Sequence, residues 1–231
     1  MHDPSSRKGI LYGVGVGPGD PDLLTIKAAR IIRTVPVLAL PDSGSGDSAV
    51  RAIAGDRLDP ARVLALDMPM SMDPAVLAAH HDAAFLLVRA HLDAGRDVAF
   101  LTLGDPSVYS TFTPLLERAK RQGYDCVVVP GVPSFCAIAA RLLEPLAERN
   151  ERLTILPAPY GTALPEGNAV VMKVGRHLPG LLAQLDRQNR LDHAALAERC
   201  GMPGERIRTN LDGSETTDTY FSTLIIKEAT K

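Results

Sequence analysis

Short apolar runs that end in glycine or proline, each followed by a longer stretch of helical spacing, fill the chain as far as Pro130. Strands that are apolar throughout are covered on both faces, and a strand followed by a helix returns to a parallel neighbour. The alternation therefore predicts a helix-covered parallel sheet. Residues 10–16 read as a strand running into glycines, and residues 23–33 as a helix with apolar positions at Leu23, Ile26, Ala29 and Ile31. Strands follow at 35–40, closed by Pro41, and at 62–66; the Gly/Ser-rich stretch 43–47 between them reads as a loop. Asp73 is a good N-cap and Pro74 suits the first helical position, so a helix is expected from there to about Ala94, stopped by Gly95. A fourth strand at 98–103 ends at Gly104. A helix at 110–121 ends at Gly123, and Cys126–Val129 forms a fifth strand.

Beyond Gly131 the pattern changes. Helical spacing marks 134–143 and 178–186, whereas 153–156, 169–174, 194–200 and 219–226 read as strands. Fewer helices per strand predict a mixed sheet. The expected fold class is α/β in two domains, 1–131 and 132–231, the first with a mostly parallel sheet and the second mixed. Of the 231 residues, 45% are hydrophobic, enough for one large core or two small ones.

Bulk charge excludes some functions. Lys and Arg number 25 against 27 Asp and Glu, a net charge of −2, without the basic excess of a nucleic-acid binder. No window approaches the roughly 18–20 unbroken apolar residues of a membrane span. The first residues carry charge with no apolar stretch behind them, so no signal peptide is expected. Cys126, Cys136 and Cys200 form no CxxC pair and read as reduced, buried thiols of a cytoplasmic protein. His80 and His81 are adjacent on a predicted helix and point about 100° apart, which rules out joint chelation. No cluster has zinc spacing, and no metal is expected.

Three loops follow strands. The first strand runs into GVGVGPGDP, Gly13 to Pro21. A glycine-rich turn of this kind lets a ligand approach the backbone closely. It fails the dinucleotide fingerprint G-x-G-x-x-G: counting from Gly13 the sixth position is Pro18, and from Gly15 it is Asp20, an acid where a pyrophosphate should sit. The second loop is LTLGDPSVYST, Leu101 to Thr111, and the third is PGVPS, Pro130 to Ser134. In open parallel sheets ligands bind beyond the carboxyl ends of strands, where such loops converge.

In this order the loops resemble the tetrapyrrole methylase family, whose members carry GxGPGDPxLLT near the start, GDPxxY in the middle and PGxxS shortly after. Here these stand at Gly15 to Thr25, Gly104 to Tyr109 and Pro130 to Ser134. The resemblance covers essentially the whole chain. The segments FLTLGDPSVYSTF (100–112) and PMSMD (69–73) resemble the branch that methylates the C(20) meso carbon of a dimethylated tetrapyrrole, metal-free or cobalt-bearing.

The resemblance implies a class III methyltransferase-like fold, a homodimer, and S-adenosylmethionine in a cleft between the two domains. By motif, the cofactor-binding positions are Pro18, Gly104, Asp105, Pro106, Tyr109, Ser110, Thr111, Pro133 and Ser134. Met172 and Lys173 fall where the family supplies a strand-end contact. Asp20 and Tyr109 are candidates for polarising the ring or moving protons. The substrate would be an anionic tetrapyrrole, and Arg51, Arg57, Arg89, Arg141 and Arg176 are available for its carboxylates, with no choice among them from sequence. Two other classes stay open: a non-catalytic tetrapyrrole-binding protein, and a nucleotide-dependent oxidoreductase disfavoured by the broken fingerprint.

Overall fold

A computed structural model describes residues 7–42, 49–69, 71, 73–157 and 163–228. The stretch 43–47, and Met70 and Met72 of the PMSMD segment, lie outside the described residues. Contacts group the chain into two compact units, Met1–Pro133 and Ser134–Lys231.

In the first unit the elements alternate: β1 (Leu11–Gly15), α1 (Ile26–Thr34), β2 (Val37–Asp42), α2 (Ala49–Ala54), β3 (Val63–Asp67), α3 (Pro74–Asp93), β4 (Val98–Thr102), α4 (Thr113–Arg121) and β5 (Cys126–Val129). The strands form one parallel sheet in the order β3-β2-β4-β1-β5, with Leu11 opposite both Val98 and Cys126. Side chains alternate across it, as the period of a strand requires. Val98 and Phe100 of β4 pack with Phe85, Val88 and Leu92 of α3 and Leu115 of α4. Ala99 and Leu101 pack on the other face with Ala28 and Ile32 of α1 and Val50 and Ile53 of α2. Gly13 faces the first of these layers, and a Cβ there would collide with the ring of Phe112.

The second unit contains α5 (Ser134–Leu142), β6 (Leu153–Pro157), β7 (Asn168–Met172), α6 (Leu178–Arg187), β8 (Ala194–Glu198), β9 (Arg206–Arg208) and β10 (Ser222–Ile226). Its sheet runs β6-β7-β10-β8-β9, with β6 and β7 parallel and the other pairs antiparallel, a mixed sheet. Val171, Leu196 and Leu224 pack there against Leu178, Leu182 and Leu185 of α6.

Most boundaries follow local chemistry. Asp73 Oδ1 accepts from the amides of Ala75 (2.8 Å) and Val76 (3.4 Å), and Gly95 turns left-handed just beyond α3. The helix expected over 23–33 is divided: Asp20 caps a short 3₁₀ turn, and Thr25 caps α1 by accepting from Ala28. The helix expected from residue 110 starts at Thr113 instead, because Ser110 Oγ accepts the Phe112 amide and holds a turn there. Strands expected to reach residues 174 and 200 stop at Met172 and Glu198, where Lys173 and Arg199 take positive φ. The last strand starts at Ser222, not at residue 219. α2 and β9 are too short for periodicity to reveal. Of the three cysteines expected to be buried only Cys200 is; Cys126 is half-buried and Cys136 is exposed on α5.

One buried phenol sets an alkaline limit on stability. The Tyr124 hydroxyl donates to Asp93 Oδ1 (2.5 Å), and the Lys8 ammonium sits 4.3 Å from its ring centroid. Burial and then the hydrogen bond to Asp93 push the phenol up from 10.0 to about 12. The folded chain thus holds this proton more tightly than the unfolded chain. Its contribution is full below pH 10 and is lost as pH rises towards about 12. Tyr124→Phe is expected to flatten that alkaline decline in urea melts run across the window.

Candidate functional site

The carboxyl ends of β4, β1 and β5 are neighbours in the sheet, so the loops after them meet at one edge. They meet backbone to backbone. The Gly104 amide donates to the Gly17 carbonyl (2.8 Å), the Gly17 amide returns a bond to the Gly104 carbonyl (3.3 Å), and the Val16 amide donates to the Thr102 carbonyl (2.9 Å). A Cβ on Gly15 would lie 2.5 Å from the Gly104 carbonyl oxygen and 2.7 Å from the Gly131 amide nitrogen. A Cβ on Gly131 would strike the same carbonyl. Gly13, Gly15 and Gly131 are therefore glycines because protein packs against them, not because a ligand must approach them.

Asp105 locks the assembly. Its Oδ2 accepts the Gly131 amide (2.9 Å), and its Oδ1 accepts the Ser107 amide (2.8 Å) and hydroxyl (2.5 Å). Burial acts to raise its pKa, but these three bonds outweigh that and hold the carboxyl below its ordinary value. A carboxylate committed in this way positions the loop.

Gly104 differs from its neighbours. Its φ is +68°, and a Cβ there would find nothing nearer than Pro133 Cα at 3.9 Å. A Cβ would therefore fit on that side in ordinary contact with Pro133 and Val132, without the collisions met at Gly15 and Gly131. Five residues on, Tyr109 takes φ +45°, rare for a residue with a side chain, and is 47% exposed. Strain of this kind collects at functional sites. Ser110 Oγ lies 3.0 Å from Thr102 Oγ1, tying the loop back to its strand. Thr111 is exposed, whereas Pro18 and Pro106 are buried in the loops and Pro133 is half-buried. Asp20 Oδ1 accepts the Asp22 amide (2.9 Å).

The remaining sequence-predicted residues belong to the second unit. Ser134 opens α5 and Met172 closes β7. Lys173 has φ +61°, and its ammonium lies 5.3 Å from the Tyr220 ring centroid. Sequence reasoning missed Thr102 and Ser107. Both lie in the quoted middle segment but act through side-chain contacts that its sequence does not announce.

Several arginines considered for anionic groups have neighbours of their own. Arg141 Nε lies 3.3 Å from Glu205 Oε1, Arg89 Nε 3.9 Å from Asp93 Oδ2, and Arg176 Nε donates to His177 Nε2 at 3.1 Å. Among the described residues no group of three or more His, Cys, Asp or Glu is arranged to hold a metal ion. His80 Nδ1 instead approaches Asp67 Oδ2 at 3.1 Å. No described helix is long and apolar enough to cross a membrane.

Residues 10–213 match the family of Tetrapyrrole (Corrin/Porphyrin) Methylases. The chain belongs to this family. As a tetrapyrrole methylase it is 34% identical to a cobalt-precorrin-2 C(20)-methyltransferase of Salmonella typhimurium, over 95% of this chain and 97% of that one. It is 32% identical to a precorrin-2 C(20)-methyltransferase of Sinorhizobium, over 94% and 95%. It also matches the cobalamin biosynthesis protein CobIJ of Mycobacterium tuberculosis at 35% identity over 94% of this chain. That match covers 46% of CobIJ, so the chain spans about half the length of the CobIJ proteins. Among solved structures, it resembles the uroporphyrin-III C-methyl transferase of Thermus thermophilus complexed with S-adenyl homocysteine. The TM-score is 0.69 and the identity 25%, over 95% of this chain and 98% of that one.

Proposed function

We propose that this tetrapyrrole methylase is an S-adenosylmethionine-dependent C-methyltransferase acting on C(20) of precorrin-2, giving precorrin-3A on the route to cobalamin. The observation that carries the reading is the near end-to-end similarity to two proteins that bear this C(20) activity in their names. One of them takes the cobalt-bearing ring, so cobalt-precorrin-2 is the second reading.

Gly104, where a Cβ would fit without the collisions met at Gly15 and Gly131, supports a close approach of the cofactor there. Gly104, Asp105, Pro106, Tyr109, Ser110, Thr111, Pro133 and Pro18 are our candidates for holding the cofactor in the first unit, and Ser134, Met172 and Lys173 in the second. Within this set Asp105 keeps the loop in shape. S-adenosylmethionine supplies a methyl group already activated on a sulfonium, and the electron-rich ring carbon is its own nucleophile. The task left to the side chains is alignment, which can contribute up to roughly 7–11 kcal/mol in well-oriented cases. Asp20 and Tyr109 are the groups we put forward for polarising the ring or moving protons.

We also take the protein to act as a cytoplasmic homodimer. Free cysteines without a disulfide framework support a reducing compartment, and two-fold dimers are the commonest oligomers.

The test is a methylation assay with both rings, read by mass and carbon NMR of the product. One methyl at C(20) is expected. Methylation at a peripheral pyrrole carbon would keep the family and overturn the regiochemistry, and no transfer to either ring would overturn the activity. Tyr109→Phe is expected to lower turnover; a shifted pH profile at retained affinity would give its hydroxyl a proton-transfer role, and an unchanged profile would leave it a positioning one.

A further inference from the structure

Two strand ends of the second unit are strained. β7 stops at Met172 and β8 at Glu198, and the next residues, Lys173 and Arg199, take φ +61° and +51°. Such conformations persist only where the surrounding structure over-determines them. Here that structure is the start of β10, which lies between the two strands. The Arg199 amide donates to the Phe221 carbonyl (2.7 Å), and the Val174 amide donates to the Ser222 carbonyl (3.1 Å). Ser222 adds its side chain. Its Oγ accepts the Gly175 amide (2.9 Å) and donates to the Thr219 carbonyl (2.9 Å). A strand needs no hydroxyl for its ladder, and burying one is unfavourable unless it is hydrogen-bonded. The buried Ser222 hydroxyl serves the turn that follows Lys173.

Glu198 stands opposite Ser222 in the register and is 1% exposed. Its carboxylate accepts from Thr217 Oγ1 (2.6 Å), Arg208 Nη2 (2.7 Å) and Arg206 Nη2 (3.3 Å). A buried ion pair is no more stabilising than apolar residues of the same volume, so stability alone does not account for it. What it does is pin the irregular segment 209–221 between β9 and β10. Thr217 is held directly, and Arg208 Nη2 also donates to the Thr216 carbonyl (3.0 Å). Thr217 Oγ1 accepts the Thr219 amide (3.4 Å), and Thr219 Oγ1 accepts the Phe221 amide (3.2 Å). The hydrogen bonds thus run without a break from the Glu198 carboxylate to the Gly175 amide. Tyr220 lies in the same run, beside the Lys173 ammonium.

We propose that Ser222, with Glu198 anchoring the segment before it, is a positioning residue for the strand end Met172–Lys173. The inference rests on the reading of those two residues as cofactor contacts. Without these bonds the backbone at Lys173 relaxes towards negative φ, where side-chain-bearing residues ordinarily lie. The contact must then be ordered at the moment of binding, which weakens affinity. Cofactor affinity is the quantity Ser222 controls, and the methyl-transfer step is not.

Titration calorimetry with S-adenosylmethionine on the full chain tests the proposal, with turnover measured alongside. Ser222→Ala should raise Kd and KM for the cofactor at least about threefold, the scale of one lost hydrogen bond, and leave kcat within about twofold. Thr217→Val breaks the run one step earlier while Glu198 keeps both arginines. It should act in the same direction, and it decides the matter if Ser222→Ala does not fold. Ile226→Val is the control. It trims a buried side chain at the far end of β10, so it should lower the melting temperature and leave Kd unchanged. A native chain that does not bind S-adenosylmethionine would overturn the cofactor reading and this inference together. Native binding with Kd unmoved in the folded variants would overturn the positioning role and leave the cofactor reading standing. So would an equal rise in Kd for Ile226→Val, which would make the effect one of general stability.

Discussion

Gly104→Val is expected to lower affinity for S-adenosylmethionine by more than about tenfold, a loss of at least 1.4 kcal/mol. The protein should stay folded. A side-chain-bearing residue at the φ of +68° costs about 1–2 kcal/mol, against the roughly 5–15 kcal/mol that holds a typical domain together. A Cβ at Gly104 makes ordinary contact with Pro133 and Val132 and no collision, so the rest of the valine side chain is expected to fall in the space assigned to the cofactor. Titration calorimetry on the variant, with a thermal melt alongside, separates the two effects. Unchanged affinity in a folded variant would remove the cofactor from this loop. Asp105→Ala should act differently. It strands the Gly131 amide and unlocks the loop, costing roughly 1–3 kcal/mol of stability. Because the carboxyl is held below its ordinary pKa, its contribution is full above the ordinary carboxylate range and fades as pH falls through the lowered value. Acid melts of the native chain should show that loss, and melts of the variant should not.

Gly15→Ala should be the more damaging change to the fold. Its Cβ would lie 2.5 Å from one backbone atom and 2.7 Å from another, on two different loops, and neither can rotate away as a side chain would. Overpacking of this kind typically costs 1–3 kcal/mol, so the melting temperature should fall on the order of 5–10 °C. Gly180→Ala is the contrast. Gly180 lies in α6 with nothing within 4 Å of its Cβ position, so alanine there should leave stability unchanged or raise it by up to about 1 kcal/mol. Equal effects of the two substitutions would refute the backbone-to-backbone account of the loops.

Both sheets, and nearly every helix longer than six residues, were legible in the sequence. Their signals depend on residues close together in the chain. The apolar runs, the Asp73 cap with Pro74 after it, and the stop at Gly95 each act within a turn or two. Boundaries shifted where a single residue adopts positive φ, as at Lys173 and Arg199, because no short-range pattern announces a strained non-glycine residue.

The order of the loops identifies the family from sequence alone, since three motifs at that spacing survive any uncertainty about geometry. What each loop residue does required the tertiary structure. Gly13, Gly15 and Gly131 look alike in the sequence as ligand-approach glycines, yet they answer to Phe112, the Gly104 carbonyl and each other, far along the chain. Asp105 reads as a cofactor contact from its motif, and only the structure adds that it braces its own loop against Gly131. α3 carries apolar residues on more than one side. The fold covers one side of it and leaves Val76, Leu86 and Leu87 in solvent. Periodicity fixes which residues share a face of a helix. Which face is covered depends on packing between segments distant in sequence, and that information exists only in the assembled chain.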